Sequence, residues 1–194
     1  MRLFAGLGNP GATFATNRHN VGFMAVDHIA SRYGFSPWKK KGPSLISEGW
    51  LESGKIILVK PQIFMNNSGL PILDIARFHK IDPNNVFVFH DELDLAAGKV
   101  RVKVGGGHGG HNGLRDIDRH LGLTYWRVRI GIGRPQYEKM DVKSWVLADF
   151  SRDEQSGWVP DLLDAIASEI DRLYEHDDSG FMSRVAYLAP APLT

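Results

Sequence analysis

The stretch from Lys99 to Gly122 reads KVRVKVGGGHGGHNGLRDIDRHLG. Within Lys99–Val104, basic residues alternate strictly with valines, which is the period of a β-strand that has one basic and one apolar face. Apolar residues after Asn112 recur at helical spacing and stop at Gly122, so a short helix follows. Between strand and helix lie six glycines in the nine positions 105–113, a composition that is costly in backbone entropy. This unit predicts a loop that approaches a phosphate or polar ligand closely.

The rest of the chain repeats the alternation of strand-like and helix-like patterns. Leu3–Leu7 is a short apolar run that ends in a glycine and proline turn, and Tyr125–Ile132 again alternates basic and apolar residues. Val21–Ile29 carries a helical stripe, and Ser151–Tyr174 opens with a capping box and continues as one long apolar stripe. We therefore predict an α/β fold, a single globular domain in which a twisted mixed β-sheet is flanked by helices.

Length and composition bound the class of protein. The 194 residues are enough for one domain with a full core, and we expect one domain over residues 1–194, with a flexible C-terminal tail from about residue 178. No apolar run reaches membrane-spanning length, and the first residues read as a strand instead of a signal peptide. The chain has no cysteine, which excludes disulfides, thiolate metal sites and cysteine nucleophiles. These features predict a cytoplasmic protein without membrane association.

The net charge of +1 does not indicate a protein that coats nucleic acid, but the charges are unevenly distributed. Acidic residues crowd the last third of the chain, and basic residues mark the middle. A local positive patch on a nearly neutral protein suits the binding of one or two phosphates. The lysine run Lys39–Lys41 taken alone is best explained as a solvated loop.

Two glycine patterns match the dinucleotide-binding fingerprint only formally. After Gly6-x-Gly8-x-x-Gly11 the helical stripe begins too late, and after Gly105-x-Gly107-x-x-Gly110 the region that should supply an acidic residue is basic. His108-x-x-His111 with His90 and Asp91 resembles a metal cluster, but histidines in a glycine loop lack a rigid scaffold. We predict neither a nucleotide cofactor nor a metal. The sequence also lacks Walker A and nucleophile-elbow motifs. If the protein is a hydrolase, we therefore expect it to activate water.

Polar residues recur where predicted strands give way to loops, at Asn9, His19, Asn66, Asp91 and Asn112. An aspartate at the end of a buried strand can fix the tautomer of an imidazole and make its other nitrogen a better base. Asparagines can orient water or bind carbonyl oxygens. Four structural roles compete with this interpretation: Asn112 as a helix cap, Asn66 as a turn residue, Asp91 as part of an acidic loop, and His19 as a structural histidine. The residues by themselves indicate a His/Asp water-activating hydrolase with a phosphate-binding patch, and no substrate.

Six blocks of the sequence resemble the bacterial peptidyl-tRNA hydrolase family. They follow the order of that family, and the resemblance runs from the N-terminus to about Tyr174. The blocks are Gly6–Gly11, Arg18–Gly22, Phe64–Gly69, His90–Asp94, the glycine loop through Leu114, and Arg129–Pro135.

The resemblance implies a monomeric enzyme, without cofactor, that cleaves the ester between a peptide and the 3′ ribose of tRNA. It makes His19 the general base and Asp91 the residue that holds His19 in its basic form. Asn9 is then the residue that recognises the peptide end and helps to reject unblocked aminoacyl-tRNA. The resemblance also implies residues that bind the peptide, the acceptor stem and the 3′ end of the tRNA. Phe64, Asn66 and Asn112 line the cleft, and Asn112 also holds the water. Lys103 and Arg129 bind the 5′ phosphate.

The chain departs from the family pattern at Phe14, where the family usually has tyrosine. A stacking face is kept there, but the hydroxyl is lost. Two other functions are weighed against the enzyme: a non-catalytic RNA-binding module on the same fold, and a hydrolase of small esters. The complete set of polar residues favours the peptidyl-tRNA hydrolase over the first, and Lys103 and Arg129 count against the second.

Overall fold

A seven-stranded mixed β-sheet organises the protein, seen in a computed structural model that describes residues 1–193. The strands follow the spatial order β2-β3-β4-β1-β5-β7-β6. In chain order they are β1 (Arg2–Gly6), β2 (Lys39–Lys41), β3 (Ser44–Leu51), β4 (Gly54–Pro61), β5 (Val86–Glu92), β6 (Val100–Val104) and β7 (Trp126–Gly131).

The four central strands are parallel to one another. β1 pairs with β4 on one side and with β5 on the other, and β5 pairs with β7. The outer strands β2, β3 and β6 are antiparallel to their neighbours. Because the central strands are parallel, their carboxyl ends meet at one edge of the sheet, which is where ligands of open α/β sheets bind.

Helices cover both faces of the sheet. They are α1 (Val21–Arg32), α2 (Gly69–Phe78), α3 (Asn112–Leu121), α4 (Val142–Val146), α5 (Arg152–Gln155), α6 (Trp158–Ser168), α7 (Ile170–Tyr174) and α8 (Asp178–Leu188). The buried side chains of α1, α6, α7 and α8 form one hydrophobic core with one face of the sheet, and those of α2 and α3 form a second core with the other face. The predicted α/β architecture, a mixed sheet flanked by helices, is confirmed.

The long final helix predicted over Ser151–Tyr174 is wrong, because this stretch folds as three helices. Its first turn carries the expected capping box, in which Ser151 and Glu154 each bond the other's backbone. The chain then leaves helical geometry at Gly157, whose φ of −124° and ψ of −112° end the run, and again at Glu169. The apolar stripe survives the break at Glu169, since the helices on either side of it turn their apolar residues to the same core.

The segment from residue 178 forms α8, which lies beside the edge strand β6. Phe181 and Val185 are buried, and the backbone N–H of Val102 points to the sulfur of Met182 at 3.4 Å. An edge strand exposes unpaired backbone groups, so this helix protects the edge. The flexible tail remains a prediction from the sequence. In residues 1–193, the helices are too short or too polar to span a bilayer.

Gly22 lets α1 begin directly against the sheet. A Cβ atom at this position would lie 2.2 Å from the carbonyl oxygen of Phe89 and 2.5 Å from the backbone nitrogen of Leu7. Both neighbours are backbone atoms of the sheet region and have little freedom to move aside. The lack of a side chain therefore fixes how closely the turn before α1 approaches the carboxyl ends of β1 and β5.

We expect Gly22→Ala to lower the free energy of unfolding by about 2 kcal/mol or more, since overpacking typically costs 1–3 kcal/mol and here the clash is with backbone. Urea denaturation followed by circular dichroism measures it. The control is Ser31→Ala, at an exposed position on the same helix, which we expect to change stability by less than about 0.5 kcal/mol. Equal stability of the two variants would contradict the close approach.

Candidate active site

Three segments that are distant in sequence meet at the carboxyl edge of the parallel strands. The 3₁₀ turn Arg18–Asn20 precedes α1, Asp91 lies at the end of β5, and His111 is the residue before α3. Loops after β1 and β4 complete the site with Asn9 and with the 3₁₀ turn Met65–Asn67. The polar residues that the sequence placed at strand ends therefore do gather at one edge.

The centre of the site is the carboxylate of Asp91, which contacts two imidazoles. His19 Nδ1 lies 2.8 Å from one oxygen of Asp91, and His111 Nε2 lies 2.8 Å from the other. Asp91 is 3% exposed, so its charge is almost fully removed from water. With Nδ1 of His19 donating to the carboxylate, Nε2 of His19 is left as the basic nitrogen.

His111 is the member of this cluster that sequence reasoning missed. Its Nδ1 accepts the backbone N–H of Leu114 at 3.3 Å and so caps α3. An accepting Nδ1 carries no proton, and therefore the proton of neutral His111 resides on Nε2, where it is donated to Asp91. The capping role considered for Asn112 thus belongs to His111. The sequence signals were its place directly before Asn-Gly at a helix start and the pattern with His90 and Asp91, which sequence reasoning considered only as a metal cluster.

Asp91 and His19 shift each other's pKa. Burial alone would raise the pKa of Asp91, but the imidazoles of His19 and His111 outweigh it and hold that pKa well below its ordinary value. Burial also works to lower the pKa of His19, and the charge and hydrogen bond of Asp91 reverse this and raise it. His19 is thereby a stronger base than a free imidazole.

His90 sits behind this cluster as a neutral residue. Burial and the neighbouring His111 lower the pKa of His90 to about 3, although its bond to the backbone of Asp91 opposes the shift. Its Nδ1–H donates to the carbonyl oxygen of Asp91 at 2.9 Å, and its ring meets the ring of His111 edge-on at 5.2 Å. Within residues 1–193, its buried Nε2 has no hydrogen-bond partner.

His19, Asp91 and His111 also lie close enough to be compared with a metal site, since one ligand atom from each falls within 4.8 Å of the others. Their hydrogen bonds favour a different use. A metal on His111 Nε2 would move the proton to Nδ1, which would then face the N–H of Leu114 and lose the helix cap. His108 does not join the cluster, because it is turned to the backbone N–H of Gly110.

Asn9 is fixed by its neighbours with its amide nitrogen free for a ligand. Its side-chain oxygen accepts the backbone N–H of Met65 at 2.8 Å. Its backbone is held from both sides by the amide of Asn20, which accepts the N–H and donates to the carbonyl of Asn9, each at 2.9 Å. Since the oxygen is engaged, the NH₂ group is the end of Asn9 that can donate to a bound molecule.

The other predicted cleft residues lie in short turns and at a helix start. Asn66 is exposed in the 3₁₀ turn after β4, and Asn112 is exposed at the start of α3. Phe64 directly precedes the first of these turns, with 63% of its surface exposed. Phe14 is half-buried in the 3₁₀ turn Ala12–Phe14. In the described part of the chain, no hydrogen bond or ring contact joins Phe14 to the histidines, so its site role remains a prediction.

Lys103 and Arg129 lie on one face of the β6–β7 pair, as the alternation predicted. Strand register places Arg129 beside His90, and Lys103 two positions farther from the site edge, beside Arg127. Arg129 donates to Glu92 at 2.9 Å. Burial and the charges of Arg129 and Arg127 lower the pKa of Lys103, while Glu92 opposes the shift. An anionic ligand would therefore stabilise the protonated form of Lys103.

Arg127 departs from the exposed basic strip suggested by the sequence, since it is fully buried. It donates to the carbonyl oxygen of Gly107 at 2.7 Å and to Asp118 at 2.9 Å, and so ties the glycine loop to α3. The loop itself needs glycine: Gly105, Gly106, Gly109 and Gly110 all have φ between 58° and 87°, which side chains rarely adopt. The excess of glycine is therefore explained by backbone conformation.

Comparison with known proteins assigns the chain to a family. A model of the family described as "Peptidyl-tRNA hydrolase" matches residues 3–191. The chain belongs to the peptidyl-tRNA hydrolase family. The resemblance drawn from six sequence blocks is thereby confirmed, and with it the expectation of a hydrolase.

Relatives of high identity and solved structures agree with this membership. The chain is similar to the peptidyl-tRNA hydrolase of Mesorhizobium japonicum, with 54% identity over 96% of this chain and 77% of the relative. It is 52% identical to that of Rhodospirillum centenum, over 99% of this chain and 84% of the relative. A crystal structure of peptidyl-tRNA hydrolase from Acinetobacter baumannii has a TM-score of 0.88 and 36% identity, over 98% of this chain and 97% of the other.

In this member of the peptidyl-tRNA hydrolase family we expect His19 to titrate above 6.5, the ordinary value for histidine, because Asp91 raises its pKa. In Asp91→Asn the charge is lost while burial remains, so the midpoint should fall below 6.5. NMR titration of the histidine ring protons measures both. His90 is the internal control and should stay neutral above about pH 5, given its low pKa. An unchanged His19 midpoint in Asp91→Asn would contradict the pairing.

Proposed function

We propose that this protein hydrolyses the ester bond between a peptide, or an N-blocked aminoacyl group, and the 3′ end of tRNA, and so recycles peptidyl-tRNA released from ribosomes. The observation that carries the proposal is the 2.8 Å contact between His19 and Asp91 at the carboxyl edge of the sheet. It leaves His19 Nε2 free to act on water, in a chain that belongs to the peptidyl-tRNA hydrolase family.

The reaction follows from this arrangement. His19 Nε2 takes a proton from water, and the water oxygen attacks the ester carbonyl carbon to give a tetrahedral intermediate. Asp91 stabilises the imidazolium that forms, because its carboxylate accepts from the opposite ring nitrogen. The proton then passes to the 3′ oxygen as the ester bond breaks. The products are a peptide with a free carboxyl group and tRNA with a free 3′ hydroxyl, so the atoms balance.

Neutral amides are suited to the carbonyl groups of the substrate. We assign Asn66 and Asn112 to the cleft beside the reacting ester, where an amide N–H can bind the oxygen that gains negative charge. The exposed position of both side chains supports this assignment. Asn112 follows His111 directly, so it is also the residue we assign to hold the attacking water.

Asn9 is assigned to selection of the acyl group. Its amide oxygen is already engaged by Met65, and its NH₂ group is left as a donor. A donor suits the carbonyl of a peptide bond or N-acyl group and repels the ammonium group of an unblocked amino acid, which is itself a donor. Aminoacyl-tRNA, the legitimate substrate of translation, would thereby be spared.

Aromatic side chains are assigned to stacking at the cleft. Phe64 exposes most of its ring next to Met65 and Asn66, and a base or side chain of the substrate can cover it. Phe14, where the family usually has tyrosine, offers a ring without the hydroxyl. We assign it stacking alone.

Lys103 and Arg129 are assigned to the phosphate at the 5′ end of tRNA. They share one face of the sheet. Along the strand direction, Lys103 lies three positions from Asp91, which is about 10 Å at roughly 3.3 Å for each position. Phosphate binding at this distance anchors the acceptor stem while the 3′ end reaches the histidine. Glu92 holds Arg129 in place for this role.

A monomer that acts without a cofactor is part of the proposal, because His19 and Asp91 form a pair that can activate water. Because its substrate arises in translation, we place the protein in the cytoplasm. The alternative, an RNA-binding module without activity, has no need for a buried carboxylate that polarises a histidine, and the pairing of His19 with Asp91 therefore favours the enzyme.

The first experiment measures release of N-acetyl-aminoacyl groups from tRNA by the wild-type protein and by His19→Ala. We expect the variant to lose at least about 100-fold in kcat, the usual worth of a general base, and to keep its affinity for tRNA. The control is His28→Ala on α1, a half-exposed histidine beside Asp164 that should not alter turnover. Unblocked aminoacyl-tRNA should survive. Binding without cleavage by the wild type would point to the RNA-binding module, and full activity of His19→Ala would remove His19 as the base.

For the phosphate site we expect Lys103→Ala to raise KM about tenfold, equivalent to roughly 1.4 kcal/mol, and to reduce the salt dependence of binding by about one unit of slope. Removing the 5′ phosphate from the tRNA should weaken binding to the wild type, and it should weaken binding to Lys103→Ala by a smaller factor, because only Arg129 contacts the phosphate in that variant. The control is Lys55→Ala, which removes the same charge. Lys55 lies at the amino end of β4, whereas the site lies at the carboxyl edge of the sheet. If the substitution and the dephosphorylation weaken binding independently, Lys103 does not bind this phosphate.

A further inference from the structure

Arg18, the residue before the proposed base, is clamped inside the protein by contacts that the reaction does not use. Its guanidinium lies 3.7 Å above the ring of Trp145 and donates to Glu154 and to the carbonyl oxygen of Asp149, each at 2.7 Å. Its side chain is 7% exposed. All of these partners come from the stretch that contains α4 and the start of α5.

The backbone around Arg18 is joined to the same stretch. The N–H of Arg18 donates to Ala148 at 3.0 Å, and Asn17 forms an antiparallel bridge with Asp149 that its side-chain amide reinforces at 2.7 Å. On the other side of the bridge, Phe150 donates to Thr16 at 3.0 Å. These bonds and the side chain of Arg18 together form an interlock, which we define as residues 16–18 with residues 145–154.

From this geometry we infer that Arg18 is a positioning residue for His19: the interlock sets the place of the 3₁₀ turn from which His19 reaches Asp91. Successive side chains of a 3₁₀ helix point about 120° apart, so the anchored Arg18 and the active His19 leave the turn in different directions. Fixing one therefore fixes the angle of the other. The inference rests on the proposed role of His19 as base.

Stability alone is a poor reason for an arginine here. Its Nε is buried without a hydrogen-bond partner in residues 1–193, and burying a charge is costly even when it is paired. An apolar side chain would fill the space against Trp145 and Phe150 at less expense. A planar fork that stacks, bonds a carboxylate and bonds a carbonyl at once instead gives a single orientation. Orientation is what a general base requires, since a displacement of about 1 Å can cost 100-fold in rate.

The test compares wild type with Arg18→Lys, which keeps the positive charge but removes the stacked fork. We expect kcat to fall about 10- to 100-fold with KM unchanged within about twofold. We also expect the NMR titration midpoint of His19 to fall towards 6.5, because the bond to Asp91 loosens. Retaining the charge matters, since its loss would itself shift the midpoint. The groups that face His19 are Asp91 and His111, and neither is altered.

Two controls separate positioning from general effects. Arg172→Lys makes the same exchange at a half-exposed arginine that also holds two carboxylates, Glu169 and Asp177, and should leave kcat and the His19 midpoint unchanged. Ile29→Val loosens the core under α1 without touching the interlock. If Arg18→Lys does not fold, Trp145→Leu removes the stack without a change of charge and should move both readouts in the same direction.

Three results would overturn the inference. The first is wild-type kcat and midpoint in Arg18→Lys, and the second is equal losses in Ile29→Val. The third is a rise in KM with an unmoved midpoint, which would make Arg18 a substrate contact. Failure of the proposed function is a separate result, because full activity of His19→Ala would refute the base while the midpoint still reports the position of His19.

Discussion

The rest of the site depends on one buried negative charge, the carboxylate of Asp91. Placing an ion in the interior is expensive, and the loss of one partner of such a group typically costs about 3–5 kcal/mol because the charge is then left uncompensated. Here the compensation comes from His19 and His111, one on each oxygen. Because the buried carboxylate requires hydrogen-bond donors, it holds both imidazoles in place. The turn before α1 and the loop before α3 are drawn to the end of β5 for the same reason.

This constraint accounts for features elsewhere in the chain. His111 can meet Asp91 only if the chain returns from the far end of β6 to the site edge within a few residues, and the positive φ angles of the glycine loop make that path possible. Arg127 fixes the glycine loop by donating a hydrogen bond to the carbonyl oxygen of Gly107. On the other side, Gly22 allows the turn that carries His19 to press against β1 and β5. Backbone geometry thus prepares the site before a substrate arrives.

The sequence predicted those parts of the structure that arise from local pattern. The alternation in Lys99–Val104 and the apolar run before Asp91 were sufficient for strands, and parallel strands bring the polar residues at their ends to one edge. The peptidyl-tRNA hydrolase resemblance then supplied the chemistry. The remaining features depend on contacts between distant residues, which no local pattern encodes. The cap formed by His111 and the burial of Arg127 both require α3 to be in place, and the interlock of Arg18 joins residues 127 or more positions apart.

The proposed phosphate-binding residues and the proposed base lie on different elements of this fold, and this arrangement suits a polyanionic substrate. A free carboxylate at the reacting ester would repel the phosphates of tRNA, but that of Asp91 is enclosed by two imidazoles and water is excluded from it. The basic residues proposed to bind phosphate, Lys103 and Arg129, lie on one face of the β6–β7 pair. In the proposed reaction, the positive charge that forms on His19 lies beside the existing negative charge of Asp91, so little net charge is created in the cleft. Under the proposed mechanism, the position of His19 sets the rate, and the basic residues Lys103 and Arg129 on neighbouring strands set the affinity for the phosphate.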